Sequence, residues 1–268
     1  MLNKNKLNSN KRLLYFFLIR KRIYLKNLFY QNKNIKHLFI LSPPFSGSTL
    51  LNQIIESSKN VSCNNNIGLR EGQHLPIANQ ILFTKDRWDP EKKINWNKIH
   101  NIWNKYWDNS KKIFLEKSPP NICRAIDIEK EFKNSYFICL VRNPYAQIEG
   151  HIRRYNTSVE IATKLYIKYL KYQKKNILNL QNIILISYED ITEKTMEIKK
   201  QIINFIPEIK DINTKLTFSA HNLRGQKLSI TNLNAEKIKN LKTNEIKKIN
   251  SILSKNKDLL NFFNYKEI

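Results

Sequence analysis

The chain has 268 residues, enough to bury one full α/β core, and its 41% hydrophobic content excludes a disordered protein. Lysine and arginine number 47 against 22 aspartates and glutamates, and the formal charge of +25 favours anionic partners: a nucleotide, an acidic glycan, nucleic acid or a membrane surface. Lysine, asparagine and isoleucine abound along the whole length, however, so the charge reads as compositional bias more than as a built patch, and a nucleic-acid partner is not expected.

At the N-terminus, Lys11-Arg12 precedes seven apolar residues, Leu13 to Ile19, and then Arg20-Lys21-Arg22. That run is too short to span a bilayer, and no small-residue cleavage site follows. Two readings stay open: a segment that packs on the domain or is disordered, and a basic amphipathic helix that touches a membrane surface. Residues 1–34 are accordingly set apart as a basic N-terminal extension from an α/β domain at 35–268. Strand-like apolar runs follow at 37–42, 112–117, 136–142 and 182–188, and helical stretches at 49–58, 121–133, 144–155, 158–178, 192–205 and 234–258. Each run is apolar through its centre, as strands covered on both faces are. The alternation predicts a single α/β domain with a mostly parallel sheet flanked by helices. Trp96, Trp103 and Trp107 recur on one helix face, read as core wall with an acceptor pocket as the alternative. The Asn/Lys-rich stretches at 3–10 and 171–182 read as loops or solvated faces. Cys63, Cys123 and Cys139 lack metal-ligand spacing and read as free thiols of a reducing compartment, so a cytoplasmic location and no metal are expected.

The chemistry concentrates at strand ends. Between the first strand and the next helix lies Ser42-Pro43-Pro44-Phe45-Ser46-Gly47-Ser48-Thr49. Prolines end the strand, Gly47 permits a tight turn, and Ser48 and Thr49 add hydroxyls where the first helical N–H groups are unpaired and the dipole favours an anion. This makes a P-loop-like turn, but no Gly-Lys-Ser/Thr ending occurs, which argues against a nucleotide kinase or hydrolase. Lys117 follows the second predicted strand and Arg142 the third. Ligands in parallel sheets bind at the carboxyl ends of strands, so three segments converge on one crevice.

Taken together, the loop at 43–49, the run Glu116-Lys117-Ser118-Pro119 and the strand ending Val141-Arg142-Asn143-Pro144 resemble the family of sulfotransferases that use 3′-phosphoadenosine 5′-phosphosulfate (PAPS). The motifs occur in that family's order over residues 37–190, closest in style to tyrosylprotein and glycan sulfotransferases. The resemblance implies a PAPS donor and a hydroxyl or amine acceptor on a glycan, a peptide or a small molecule. It implies that Ser46, Gly47, Ser48 and Thr49 hold the 5′-phosphosulfate, that Arg142 and Arg154 hold the 3′-phosphate, and that Tyr188, Arg224 and Lys227 add contacts to the nucleotide. Lys117 would offset charge on the leaving phosphate. Glu71, in Arg70-Glu71-Gly72-Gln73-His74, would take the acceptor proton, with His74 as substitute. The chain departs from the pattern at Phe45, where the family carries a cation, and at Gly150, where it carries a serine. A kinase-like protein and a non-catalytic binder of an anionic polymer or nucleotide are the alternatives.

Overall fold

The computed structural model describes residues 9–30, 34–218 and 228–268. Five strands form one wholly parallel sheet: β1 Lys36–Leu41, β2 Val61–Cys63, β3 Ile113–Glu116, β4 Ser135–Val141 and β5 Ile183–Ser187, in the order β2-β3-β1-β4-β5. Side chains alternate across it. Phe39, Phe114 and Phe137 enter one core with Trp103, Trp107 and Phe132, whereas Leu38, Ile40, Ile113, Leu115, Ile138 and Leu140 enter the core on the opposite face. The centres of β1, β3 and β4 are covered on both faces, which explains their apolar central sequences.

The helices are α1 Ser9–Asn27, α2 Ser48–Glu56, α3 Ala78–Leu82, α4 Trp96–Trp103, α5 Ala125–Glu131, α6 Pro144–Tyr155, α7 Val159–Asn179, α8 Tyr188–Glu193, α9 Thr195–Phe205, α10 Asn234–Lys239, α11 Thr243–Leu253 and α12 Lys257–Phe262. Central β1 pairs with β3 on one side and β4 on the other, in register Leu38 to Leu115 and Leu38 to Tyr136. The chain therefore leaves β1 between two strand ends, and the crevice above them is the natural ligand site.

Four expectations change. The edge strand β2 carries no signal of its own, because Val61-Ser62-Cys63 is too short for a periodicity. The stretch 234–258 is not one helix: α10 ends before a turn, and α11 restarts with the Glu245 carboxylate accepting from the Lys242 N–H at 2.7 Å. The 171–182 stretch is not a loop or solvated throughout. Gln173 and Asn176 of α7 are buried, and Gln173 Nε2 donates to the carbonyls of Leu41 at 2.7 Å and Leu140 at 3.1 Å, tying the ends of β1 and β4 together. Finally, Trp96 and Trp103 share α4, but Trp107 lies beyond its end, and all three are core. The N-terminal segment is helical as α1 and packs on the domain, with Phe16 in the core and Lys26 paired to Asp108 at 2.9 Å. The three cysteines are free thiols, and only Cys139 is fully buried.

Candidate active site

A cleft of about 820 Å³ opens over the carboxyl ends of β1, β3 and β4. Its floor is the turn into α2. Phe45 and Gly47 both take left-handed backbone, at φ 66° and 89°. At Gly47 this is required twice over, since a Cβ there would lie 2.4 Å from the Tyr188 ring. The turn presents the first-turn N–H groups of α2 to the cleft, with Ser48 and Thr49 lining it and no acidic residue in that turn to compete for them. Ser46 stands apart: its buried hydroxyl donates to the Pro43 carbonyl at 2.7 Å, so it shapes the turn rather than facing the cleft.

Arg142 follows β4 directly and lies across the Tyr188 ring, its guanidinium carbon 4.0 Å from the ring centroid. Its Nε donates to Asn234 Oδ1 at 2.8 Å and its Nη1 to the Phe45 carbonyl at 3.0 Å. Nη2 is buried and has no partner among the described residues. A buried guanidinium held on two sides with a third donor unused is costly unless an anion completes it. Behind it, Glu189 accepts from the Asn143 N–H at 2.9 Å, from Asn234 Nδ2 and from the Tyr265 hydroxyl at 2.8 Å, so a chain of partners fixes the arginine from outside the cleft. Tyr188 is itself held by its hydroxyl, which donates to the Thr231 carbonyl at 3.0 Å.

On the β3 side, Lys117 is buried, with Nζ 3.8 Å from Glu71 Oε1. Burial lowers the Lys117 pKa, while the Glu71 and Glu116 carboxylates work against that fall. Burial alone would raise Glu71, but the neighbouring His74 ring, the Lys117 charge and Gln73 outweigh it and hold the carboxyl below its usual range. His74 Nε2 is 3.2 Å from Glu71 Oε2. Arg70, the residue before it, pairs with Glu56 and not with Glu71, which is buried.

The loop bearing Glu71 is locked by groups whose role as its partners has no signal in the sequence. Trp103 Nε1 donates to the Gly72 carbonyl at 3.3 Å, Asn65 Nδ2 to the Glu71 carbonyl at 2.8 Å, and the Gln73 N–H to Ser118 Oγ at 3.0 Å. Ser118 donates in turn to Glu116 Oε1. A Cβ on Gly72 would meet Asn64 Nδ2 at 2.6 Å and both Glu116 Oε1 and Trp103 Nε1 at 2.9 Å, so only glycine lets the loop approach the strand end.

The remaining wall carries Arg87, Arg153, Arg154, Lys168 and Lys237, with Phe83, Trp88 and Tyr169 between them; among the described lining residues Glu71 is the one acid. Arg153 lines the cleft as Arg154 does, and its Nε donates to Glu149 at 2.8 Å. Trp88 is the one tryptophan that lines the cleft, packed on Tyr169 at 4.9 Å between centroids. Phe45 meets His151 and Tyr155 edge-on at 5.9 and 5.6 Å and lies on Gly150, where a Cβ would be 3.0 Å from the phenyl ring. Thus Phe45 and Gly150 fit each other. Arg224 and Lys227 lie outside the described residues. Among the described residues no cluster of histidine, cysteine, aspartate or glutamate could hold a metal ion.

A sequence profile of the sulfotransferase family matches residues 37–208. Among solved structures, the chain is similar to a sulfotransferase of Mycobacterium avium (10% identity, 88% of this chain and 78% of that one, TM-score 0.54). It is also similar to the sulfotransferase domain of the curacin biosynthetic pathway (19% identity, 83% and 99%, TM-score 0.49) and to that of the Synechococcus PCC 7002 olefin synthase (17%, 84% and 98%, TM-score 0.47). No curated protein matches the sequence significantly. The likeness to the mycobacterial protein is one of fold, and the profile spans the turn into α2, the lysine end of β3 and the arginine end of β4: the chain belongs to the sulfotransferase family, enzymes of sulfuryl transfer.

Proposed function

We propose that this enzyme takes its sulfuryl group from PAPS and passes it to a hydroxyl or amine of a small-molecule, glycan or peptide acceptor in the cytoplasm. The observation that carries the donor assignment is the buried Nη2 of Arg142, without a partner among the described residues, set beside a left-handed glycine turn that opens a helix on the same cleft. The cleft thus offers two anion sites, a guanidinium fork and a helix N-terminus, which suits a nucleotide with separate 3′- and 5′-phosphates. Arg142 and Arg154 would take the 3′-phosphate, and Gly47, Ser48 and Thr49 the 5′ end. Ser46 would serve through the turn's backbone alone.

When bound, PAPS supplies a sulfuryl group whose departure leaves adenosine 3′,5′-bisphosphate. Glu71, ionised because its neighbours hold its pKa down, accepts the acceptor proton as the new S–O bond forms. Lys117, with Nζ 3.8 Å from Glu71, offsets negative charge on the departing phosphate oxygen. The aromatic wall at Phe83, Trp88 and Tyr169 gives the acceptor an apolar seat. The test is a transfer assay with isotopically labelled PAPS against a panel of phenols, sugars and amines. Glu71→Gln keeps the side chain's shape without its basicity, so turnover should fall about 10²-fold or more with donor affinity retained. The acid limb of the wild-type rate profile should lie below the ordinary glutamate range. A fully active Glu71→Gln enzyme would remove Glu71 as the base.

A further inference from the structure

A helix on the surface of a soluble domain carries one apolar stripe, turned to the core. Helix α1 carries two. Phe16 and Ile19 face the domain, where Phe16 joins the core. On the far side, Leu13, Leu14, Phe17, Leu18, Tyr24 and Leu25 are all exposed. They recur at three- and four-residue steps, which places them on one arc of the helix. The apolar surface runs on past its end at Leu28 and Phe29, the latter 82% exposed.

Charge frames this second stripe. The helix holds six cations, Lys11, Arg12, Arg20, Lys21, Arg22 and Lys26, and no acidic residue. Arg12 donates to the His74 carbonyl at 2.9 Å and Lys26 pairs with Asp108, so these two fasten the helix to the domain. Lys11, Arg20, Lys21 and Arg22 make no ion pair among the described residues, and Arg20 and Lys21 rest over the exposed Phe17 ring. The charged heads of Arg20 and Lys21 thus lie beside exposed apolar surface, the mixture of cations and apolar side chains that a lipid headgroup boundary accommodates. No helix among the described residues is long and apolar enough to cross a membrane.

We infer that α1 is an interfacial helix that docks the enzyme on an anionic lipid bilayer, its outer apolar stripe in the headgroup boundary and its unpaired cations on lipid phosphates and carboxylates. A second copy of the chain is a poorer occupant, because stacking two such faces would bring cations onto cations with no acid between them. Docking is independent of the donor and acceptor assignments.

The test is flotation of the intact protein with vesicles of phosphatidylcholine alone and of phosphatidylcholine with phosphatidylserine, for the wild type and a Leu14→Glu, Leu18→Glu double variant. Both leucines are more than half exposed, at 57% and 56%, so the variant should keep the wild-type thermal transition. Salt-sensitive flotation with the phosphatidylserine vesicles, weakened about tenfold or more by the double variant, supports the inference. Absence of flotation, or flotation that the variant leaves unchanged, overturns it. So does a dimer that the variant dissolves while vesicles are ignored.

Discussion

Lys117 and Glu116 are adjacent buried ionisable residues with opposite tasks, and each makes a separate prediction. Lys117 faces the cleft beside Glu71, so its charge is available to a developing anion. Lys117→Ala should lower turnover by about 10²-fold or more while leaving donor affinity within a few-fold, as loss of one preorganised electrostatic stabiliser does. Calorimetry together with single-turnover kinetics checks this; loss of donor affinity with turnover intact would make Lys117 a binding residue only. Glu116 faces inward, and burial pushes its pKa from 4.5 to about 8, so it is a neutral acid at pH 7. The folded state therefore holds a proton that the unfolded chain has lost, and stability falls as pH rises between those values, by on the order of 1.4 kcal/mol per pH unit. His37 acts in the other direction: burial lowers its pKa from 6.5 to about 4, so stability is lost as pH falls across that window. The two slopes oppose each other at mildly acid pH, and above pH 6.5 His37 no longer offsets the Glu116 slope. Glu116→Gln, a near copy of the neutral acid, should flatten the stability profile between pH 6.5 and 8, read by urea unfolding at each pH. An unchanged slope would mean that Glu116 is ionised in the folded protein.

Among the elements, the parts of the sheet that build the site were legible because their sequences obey one rule each. β1, β3 and β4 are apolar through their centres, and each is followed at once by a group that lines the cleft: the turn at Gly47, Lys117 and Arg142. The supports were not legible, because they are single polar residues whose partners lie far along the chain. Gln173, Asn234, Ser118 and Trp103 gain meaning only once β1 meets β4, or the Glu71 loop meets β3. Gln173 and Asn176 sit in an Asn/Lys-rich stretch whose composition suggests solvent, and burial with full hydrogen bonding overrides that suggestion. Phe45 and Gly150 were separately visible as departures from the family pattern, yet their mutual fit is a tertiary fact. It predicts that Gly150→Ser crowds the Phe45 ring in the wild-type background and is tolerated beside Phe45→Lys. A double-mutant cycle on thermal stability should give a coupling of about 0.5–2 kcal/mol. Strict additivity would show the two positions to be independent.

For the whole molecule, the formal charge of +25 is less informative than where the cations sit. Those of α1 border an apolar stripe at the surface, while those of the cleft surround one carboxylate among the described lining residues. The central claim is that this cleft was shaped for a nucleotide carrying both 3′- and 5′-phosphates. Isothermal titration of adenosine 3′,5′-bisphosphate into the wild-type protein and into Arg142→Ala, with AMP and ATP–Mg²⁺ as comparison ligands, addresses it most directly. The account predicts that the bisphosphate binds the wild type more tightly than either comparison ligand. It also predicts that Arg142→Ala loses on the order of ten- to a hundred-fold, about 1.5–3 kcal/mol for one charge-assisted contact. Equal affinity for AMP and the bisphosphate, or an Arg142→Ala protein that binds the bisphosphate as the wild type does, would contradict it.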